Sequence, residues 1–147
     1  MKILFSSTLL MYAIFIMPVA MADFPGNNTL NGNTISNNFL VGVLLYNSSN
    51  NIIFNNYFSN TINAADNGNN TWNIPKTRGI NIIGGPYLGG NFWSDYAGKD
   101  IDWDGLGDTL LPYNGLGNIT FGGDYRPLTG IAAKVPALSP EGMIVIA

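Results

Sequence analysis

Asn28-Thr29-Leu30-Asn31-Gly32-Asn33-Thr34-Ile35-Ser36-Asn37 returns 23 residues later as Asn51-Ile52-Ile53-Phe54-Asn55-Asn56-Tyr57-Phe58-Ser59-Asn60. Asn28/Asn51, Asn33/Asn56, Ser36/Ser59 and Asn37/Asn60 are identical, and Leu30/Ile53 and Ile35/Phe58 keep a large apolar residue in register. A fixed period in the twenties marks stacked repeats. Residues 27–73 hold 17 asparagines in 47 positions, a composition also found in disordered, prion-like tracts. The preserved register argues against disorder.

The make-up of each repeat selects the kind of stack. Apolar runs of three or four residues are too short for helices. Asparagine pairs between them suit tight turns, because asparagine tolerates the left-handed backbone. The expected fold is therefore all-β: a short right-handed single-stranded parallel β-helix with an aromatic, glycine-rich C-terminal cap. Leu30, Ile35, Val43, Leu45, Ile53 and Phe58 are expected to point inward. Asparagines at equivalent turns are expected to exchange amide hydrogen bonds along the stack.

Asn33-Thr34-Ile35-Ser36-Asn37-Asn38 followed by Gly42-Val43-Leu44-Leu45-Tyr46-Asn47-Ser48-Ser49-Asn50-Asn51-Ile52-Ile53 resembles the NosD-type repeats of the carbohydrate-binding and sugar-hydrolase (CASH) β-helix group. Such repeats are common in surface proteins of methanogenic archaea. The resemblance implies the fold more strongly than any activity. The NosD name is associated with copper delivery. This chain has no histidine or cysteine and, after residue 22, only Met143 as a thioether, so copper is not carried over.

Four segments are expected. Residues 1–22 read as an export signal: Lys2, an apolar run from Ile3 to Met17, Pro18, then Ala20-Met21-Ala22 before Asp23. Residues 23–75 carry the β-helix repeats, residues 76–128 the cap, and residues 129–147 a linker and tail. Within the tail, Val135-Pro136-Ala137-Leu138-Ser139-Pro140 resembles the opening of a truncated IPTL-type sorting motif. The apolar run that follows is too short to span a bilayer. Localisation is therefore expected to be secreted or cell-surface.

Composition narrows the function. Six Lys and Arg stand against nine Asp and Glu, and no basic residue occurs between Lys2 and Lys76. No basic patch can neutralise phosphates, so nucleic acid is not an expected partner. The absence of His and Cys excludes Ser–His and Cys–His catalysis. The repeats offer a single acid, Asp66, and no base, so the pair of carboxylates a glycosidase needs is missing there.

Asp100-Ile101-Asp102-Trp103-Asp104-Gly105-Leu106-Gly107-Asp108 places carboxylates at positions 1, 3, 5 and 9 with glycine at 6. That spacing wraps a loop around one hard cation, with the Leu106 carbonyl at position 7. It resembles the calcium loops of EF-hands, dockerins and thrombospondin type 3 repeats. Position 12 is Leu111 rather than a bidentate Glu, which leaves a ligand to be found from water, Asp95 or Asp124. Structural calcium is the expected cofactor, held by Asp100, Asp102, Asp104, Leu106 and Asp108.

Trp72, Tyr87, Trp93 and Tyr96 offer either a sugar-stacking platform or the hydrophobic material of the cap. Asn27, Asn47, Asn69 and Asn118 head glycosylation sequons. The sequence thus points to an exported, non-enzymatic surface module that contacts envelope polysaccharide or surface proteins, with self-association through coil ends as a further expectation. The alternatives are a polysaccharide lyase or glycoside hydrolase relic and a purely architectural surface-layer component.

Overall fold

The computed structural model describes residues 21–22 and 26–130. The expected export signal, apart from its last two residues, and most of the expected tail lie outside the described residues.

The described chain is all-β, with parallel strands in small sheets and one 3-10 turn at Gly115–Gly117. In chain order the strands are β1 (Met21–Ala22), β2 (Thr29–Asn31), β3 (Thr34–Ser36), β4 (Val43–Tyr46), β5 (Ile52–Phe54), β6 (Tyr57–Ser59), β7 (Ala64–Asp66), β8 (Thr77–Arg78), β9 (Tyr87–Leu88) and β10 (Phe92–Trp93). Three sheets have parallel strand orders β1-β4-β7, β2-β5 and β3-β6-β10. The chain visits these sheets in the same rotation on each pass. On the third pass the second sheet receives only Thr71, bridged to Ile52. A fourth visit to the first sheet is made by Ile119, bridged to Asp66.

The 23-residue offset is the register of the first two passes: Leu30 pairs with Ile53 and Ile35 with Phe58. It slips by one at the end of the repeat, where Asn38 rather than Asn37 meets the Asn60 side chain. The third pass departs further. After Trp72 the chain leaves the stack to form the antiparallel hairpin β8–β9, and it returns as β10 on β6. The cap expected from residue 76 thus contributes β10 to a sheet begun before it. Met21–Ala22, expected to end the export signal, pair with Leu45–Tyr46.

Turn chemistry follows the asparagines. Asn27, Asn37, Asn47, Asn50 and Asn55 all have positive φ. Gly32 (φ 72°) and Asn55 (φ 55°) occupy the same turn in successive passes, so asparagine substitutes for glycine where the backbone must be left-handed.

The core runs along the stack axis. Ile35, Ile53 and Phe58 are buried as expected, while Leu30, Val43 and Leu45 are half-buried against the same cluster. Downstream the column becomes aromatic. Phe58 stacks on Trp93 at 4.6 Å and Trp93 on Tyr113 at 4.4 Å, with Trp72 tilted against Trp93 at 5.5 Å. These rings close the last pass with large apolar area per residue, which a core this small requires.

Candidate functional site

Three columns of asparagine side chains run along the stack in one direction, while a separate exposed pair, Asn47 and Asn67, exchanges bonds both ways. In the first, Asn33 donates its backbone N–H and its Nδ2 to Asn56 Oδ1 at 3.0 and 3.1 Å. Asn56 does the same to Asn91 Oδ1 at 3.1 and 2.9 Å, and Asn91 to Asp124 Oδ2 at 2.7 and 3.4 Å. In the second, Asn28 donates to Asn51, Asn51 to Asn70, and Asn70 Nδ2 to Asp66 Oδ1 at 2.8 Å. In the third, Asn38 donates to Asn60, Asn60 N–H to Asn63 Oδ1, and Asn63 Nδ2 to Asp95 Oδ1 at 2.6 Å.

Each column therefore ends on an aspartate. An amide both donates and accepts, so a column of amides arrives at its downstream end with protons still to place. A carboxyl group offers two acceptor oxygens and no N–H that must be passed on, which makes it the natural last member. Each terminal aspartate also takes an aromatic donor from the core or cap: Trp72 Nε1 to Asp66 and Trp93 Nε1 to Asp124, both at 2.9 Å, and Tyr113 O–H to Asp95 at 2.8 Å. Burial and the Asp95 bond hold the Tyr113 hydroxyl well above the usual phenol range.

Asp124 is fully buried. Burial pushes its carboxyl up to about 7, against the opposing pull of donors from Asn91, Trp93 and Arg126. Gly90 makes room for it, since a Cβ there would lie 1.8 Å from Asp124 Oδ1. Asp95 and Asp124 were candidates for the missing ligand of the acidic loop. Both are occupied as column ends instead.

Within that loop the structure brings together part of the expected set. Asp100, Asp102 and Asp108 each place a carboxylate oxygen within 4.8 Å of the others. Asp100 accepts the Asp104 and Gly105 N–H groups, and Asp108 accepts Ile101 N–H, so the backbone folds around the acids. Asp104 departs from the expectation. Its carboxylate pairs with Lys76 Nζ and accepts Leu106 N–H. The Lys76 ammonium is raised above its ordinary value by that bond, and it also lies 4.4 Å over the Tyr87 ring. Leu106 itself packs inward and bridges Leu128.

The aromatic candidates divide. Trp72 and Trp93 are 0% and 2% exposed, with their faces taken by Phe58, Tyr113 and each other. They cannot stack on a sugar, and the core role replaces that expectation. Tyr96 is half-buried, its hydroxyl on the Thr109 carbonyl and its ring edge against Tyr113. Tyr87 is half-buried beneath Lys76. All four sequon asparagines, Asn27, Asn47, Asn69 and Asn118, are exposed.

A feature the sequence did not signal is an open groove of about 390 Å³ lined by Asn37, Asn38, Phe39, Ser59, Asn60 and Thr61. Phe39 is 90% exposed in it. The groove combines amides and hydroxyls with one free aromatic face and contains no carboxylate.

Residues 12–98, more than half of the chain, match the family described as periplasmic copper-binding protein (NosD). No curated protein and no solved structure matches the chain. The match starts inside the expected export signal and reaches past β10, so it covers the repeats, the hairpin and the return to the stack.

The donor set does not fit copper. Copper sites draw on imidazole, thiolate and thioether. Here there is no His or Cys, no Met lies within residues 26–130, and the acids that converge offer hard carboxylate oxygens suited to calcium or magnesium. With the repeats, the parallel sheets and the matched span in agreement, the chain belongs to the NosD family.

Proposed function

We propose that this chain is an exported, non-enzymatic module of the cell envelope that contacts polysaccharide through its asparagine-faced flank. Its successive passes are read as a short right-handed parallel β-helix. The observation that carries the binding reading is the groove at Phe39, where an exposed ring lies among Asn37, Asn38, Ser59, Asn60 and Thr61. A flat aromatic face beside amide and hydroxyl groups matches the C–H face and hydroxyls of a sugar ring. The absence of carboxylates from the groove supports binding rather than glycoside cleavage, which needs two. Four acids engaged elsewhere support the same reading: Asp66, Asp95 and Asp124 end the columns, and Asp104 is held by Lys76.

The Asp100–Asp108 loop is read as a structural calcium site, held by Asp100, Asp102 and Asp108 with water and the Leu106 carbonyl completing the set. Three convergent carboxylates repel one another without a counter-ion. An affinity of about 0.1–1 mM would suit an extracellular module. At 10 mM calcium, mass action then adds roughly 1.4–2.7 kcal/mol of stability.

Glycan-array binding in calcium-containing buffer tests the first reading. The wild type is expected to retain envelope-type polysaccharides, with Phe39→Ala reducing retention about tenfold. An array with no reproducible signal removes the carbohydrate reading, and release of reducing ends would replace it with an enzyme. Thermal unfolding tests the second. Calcium is expected to raise Tm by several degrees in the wild type and not in Asp102→Ala. Equal Tm with calcium and with chelator removes the metal.

A further inference from the structure

The one-way columns leave the two ends of the stack chemically different. Downstream, each of the three one-way columns is closed by a carboxylate and covered by aromatic rings and the residues around Ile119. Upstream, among the described residues, β3 is the last strand of its sheet and β2 the last of its own. Asn33 sits at that end, 93% buried, with its N–H and Nδ2 spent on Asn56 and Asn31. No donor among the described residues meets its Oδ1. The same holds for Asn38, whose donors go to Asn60. Asn33 O accepts Tyr57 N–H and Asn37 N–H donates to Ser59 O, so odd-numbered residues face β6. By alternation, Thr34 and Ser36 turn their N–H and C=O groups to the open edge.

The geometry points to the upstream edge of β3 as a docking site for an asparagine-bearing β-strand of another polypeptide, laid parallel, with one asparagine over Asn33. Continuity with the existing column fixes the chemistry. Within the stack, Asn56 Oδ1 and Asn91 Oδ1 each receive a backbone N–H and an Nδ2–H from the asparagine upstream. Asn33 Oδ1 presents the same acceptor with no donor among the described residues in that place. Residues 1–26 contain no asparagine or glutamine, so none of them can supply a side-chain amide to that acceptor. A second copy stacked head to tail would bring its downstream end, where carboxylates and cap have replaced the donors. The partner is therefore a strand with the Asn-Asn-aromatic pattern that β6 follows, supplied by a different chain. This site does not depend on the carbohydrate or calcium readings.

The test uses the full chain and a soluble peptide bearing the sequence of residues 53–60, Ile-Phe-Asn-Asn-Tyr-Phe-Ser-Asn, flanked by lysines. Binding is read by fluorescence anisotropy, and the site by amide hydrogen exchange at Thr34 and Ser36. The peptide is expected to slow exchange at both amides, and a peptide carrying Asn56→Leu to bind about tenfold more weakly. Three results overturn the proposal: no binding, equal binding of both peptides, or Thr34 and Ser36 already protected without peptide. The last means that this chain's own N-terminal residues cover the edge. If that protection instead depends on protein concentration, a second copy does.

Discussion

Asn56→Asp, which exchanges one NH₂ for one oxygen, is expected to unfold the protein or bring it close to unfolding. Asn56 is fully buried in the middle of the first column. Its Nδ2 lies 2.9 Å from each of three acceptors: Asn91 Oδ1, the Leu30 carbonyl and the Phe54 carbonyl. A carboxylate oxygen in that place meets three acceptors and donates to none. The charge it adds is buried without a cation. The combined cost is on the order of 4 kcal/mol or more, a large part of the stability of a domain this size. The same substitution at exposed Asn69 is expected to change stability by less than about 0.5 kcal/mol. Urea unfolding of the two variants side by side checks the prediction. Equal midpoints would mean that the amide at position 56 donates to nothing.

The second large effect lies at the other end of the same column. Asp124→Ala removes the acceptor for Trp93 Nε1, Asn91 N–H and Arg126 N–H in one step. Each buried donor left unpaired costs about 1–3 kcal/mol, so a loss on the order of 3–6 kcal/mol is expected. Asp124→Asn keeps the shape but turns an NH₂ toward one of those donors, and it should cost less, about 1–3 kcal/mol.

The pair also separates charge from shape. With its carboxyl pushed up to about 7, folded Asp124 holds a proton more tightly than the unfolded chain does. That contribution is fully present below the ordinary carboxylate value near 4 and is lost as pH rises through about 7. Wild-type stability should therefore fall between about pH 4 and pH 7 from this group, and the Asp124→Asn variant should lack that component. A wild-type profile with the same slope as Asp124→Asn would show that the carboxyl is not perturbed.

The fold was legible where spacing was regular. The Leu30/Ile53 and Ile35/Phe58 pairs of the 23-residue alignment are strand partners in the structure. The third pass was not, because the β8–β9 hairpin separates Asn56 from its next column member, Asn91, by 35 residues. A fixed-period alignment cannot follow a column across such an excursion. The role of the aspartates was hidden for a related reason. Asp66, Asp95 and Asp124 share no local motif, and only the folded stack shows that each is the last acceptor of a column.

The conspicuous Asp100–Asp108 run, in contrast, was visible from spacing alone, and three of its four carboxylates do converge. Asp104 left the set because Lys76, remote in sequence, reaches it. Trp72 and Trp93 illustrate the limit of composition. Aromatics beside glycines read equally as a platform or as a core, and only burial decides between them.

Hydrogen exchange of the asparagine side-chain amides, followed by NMR on ¹⁵N-labelled protein, reaches the columns directly. Nδ2 protons of Asn56 and Asn91 are expected to exchange at least about a thousandfold more slowly than those of exposed Asn69, since they are released only by opening of the stack. Exchange of all three at the rate of free asparagine would contradict the account, because buried columns of donating amides could not then exist.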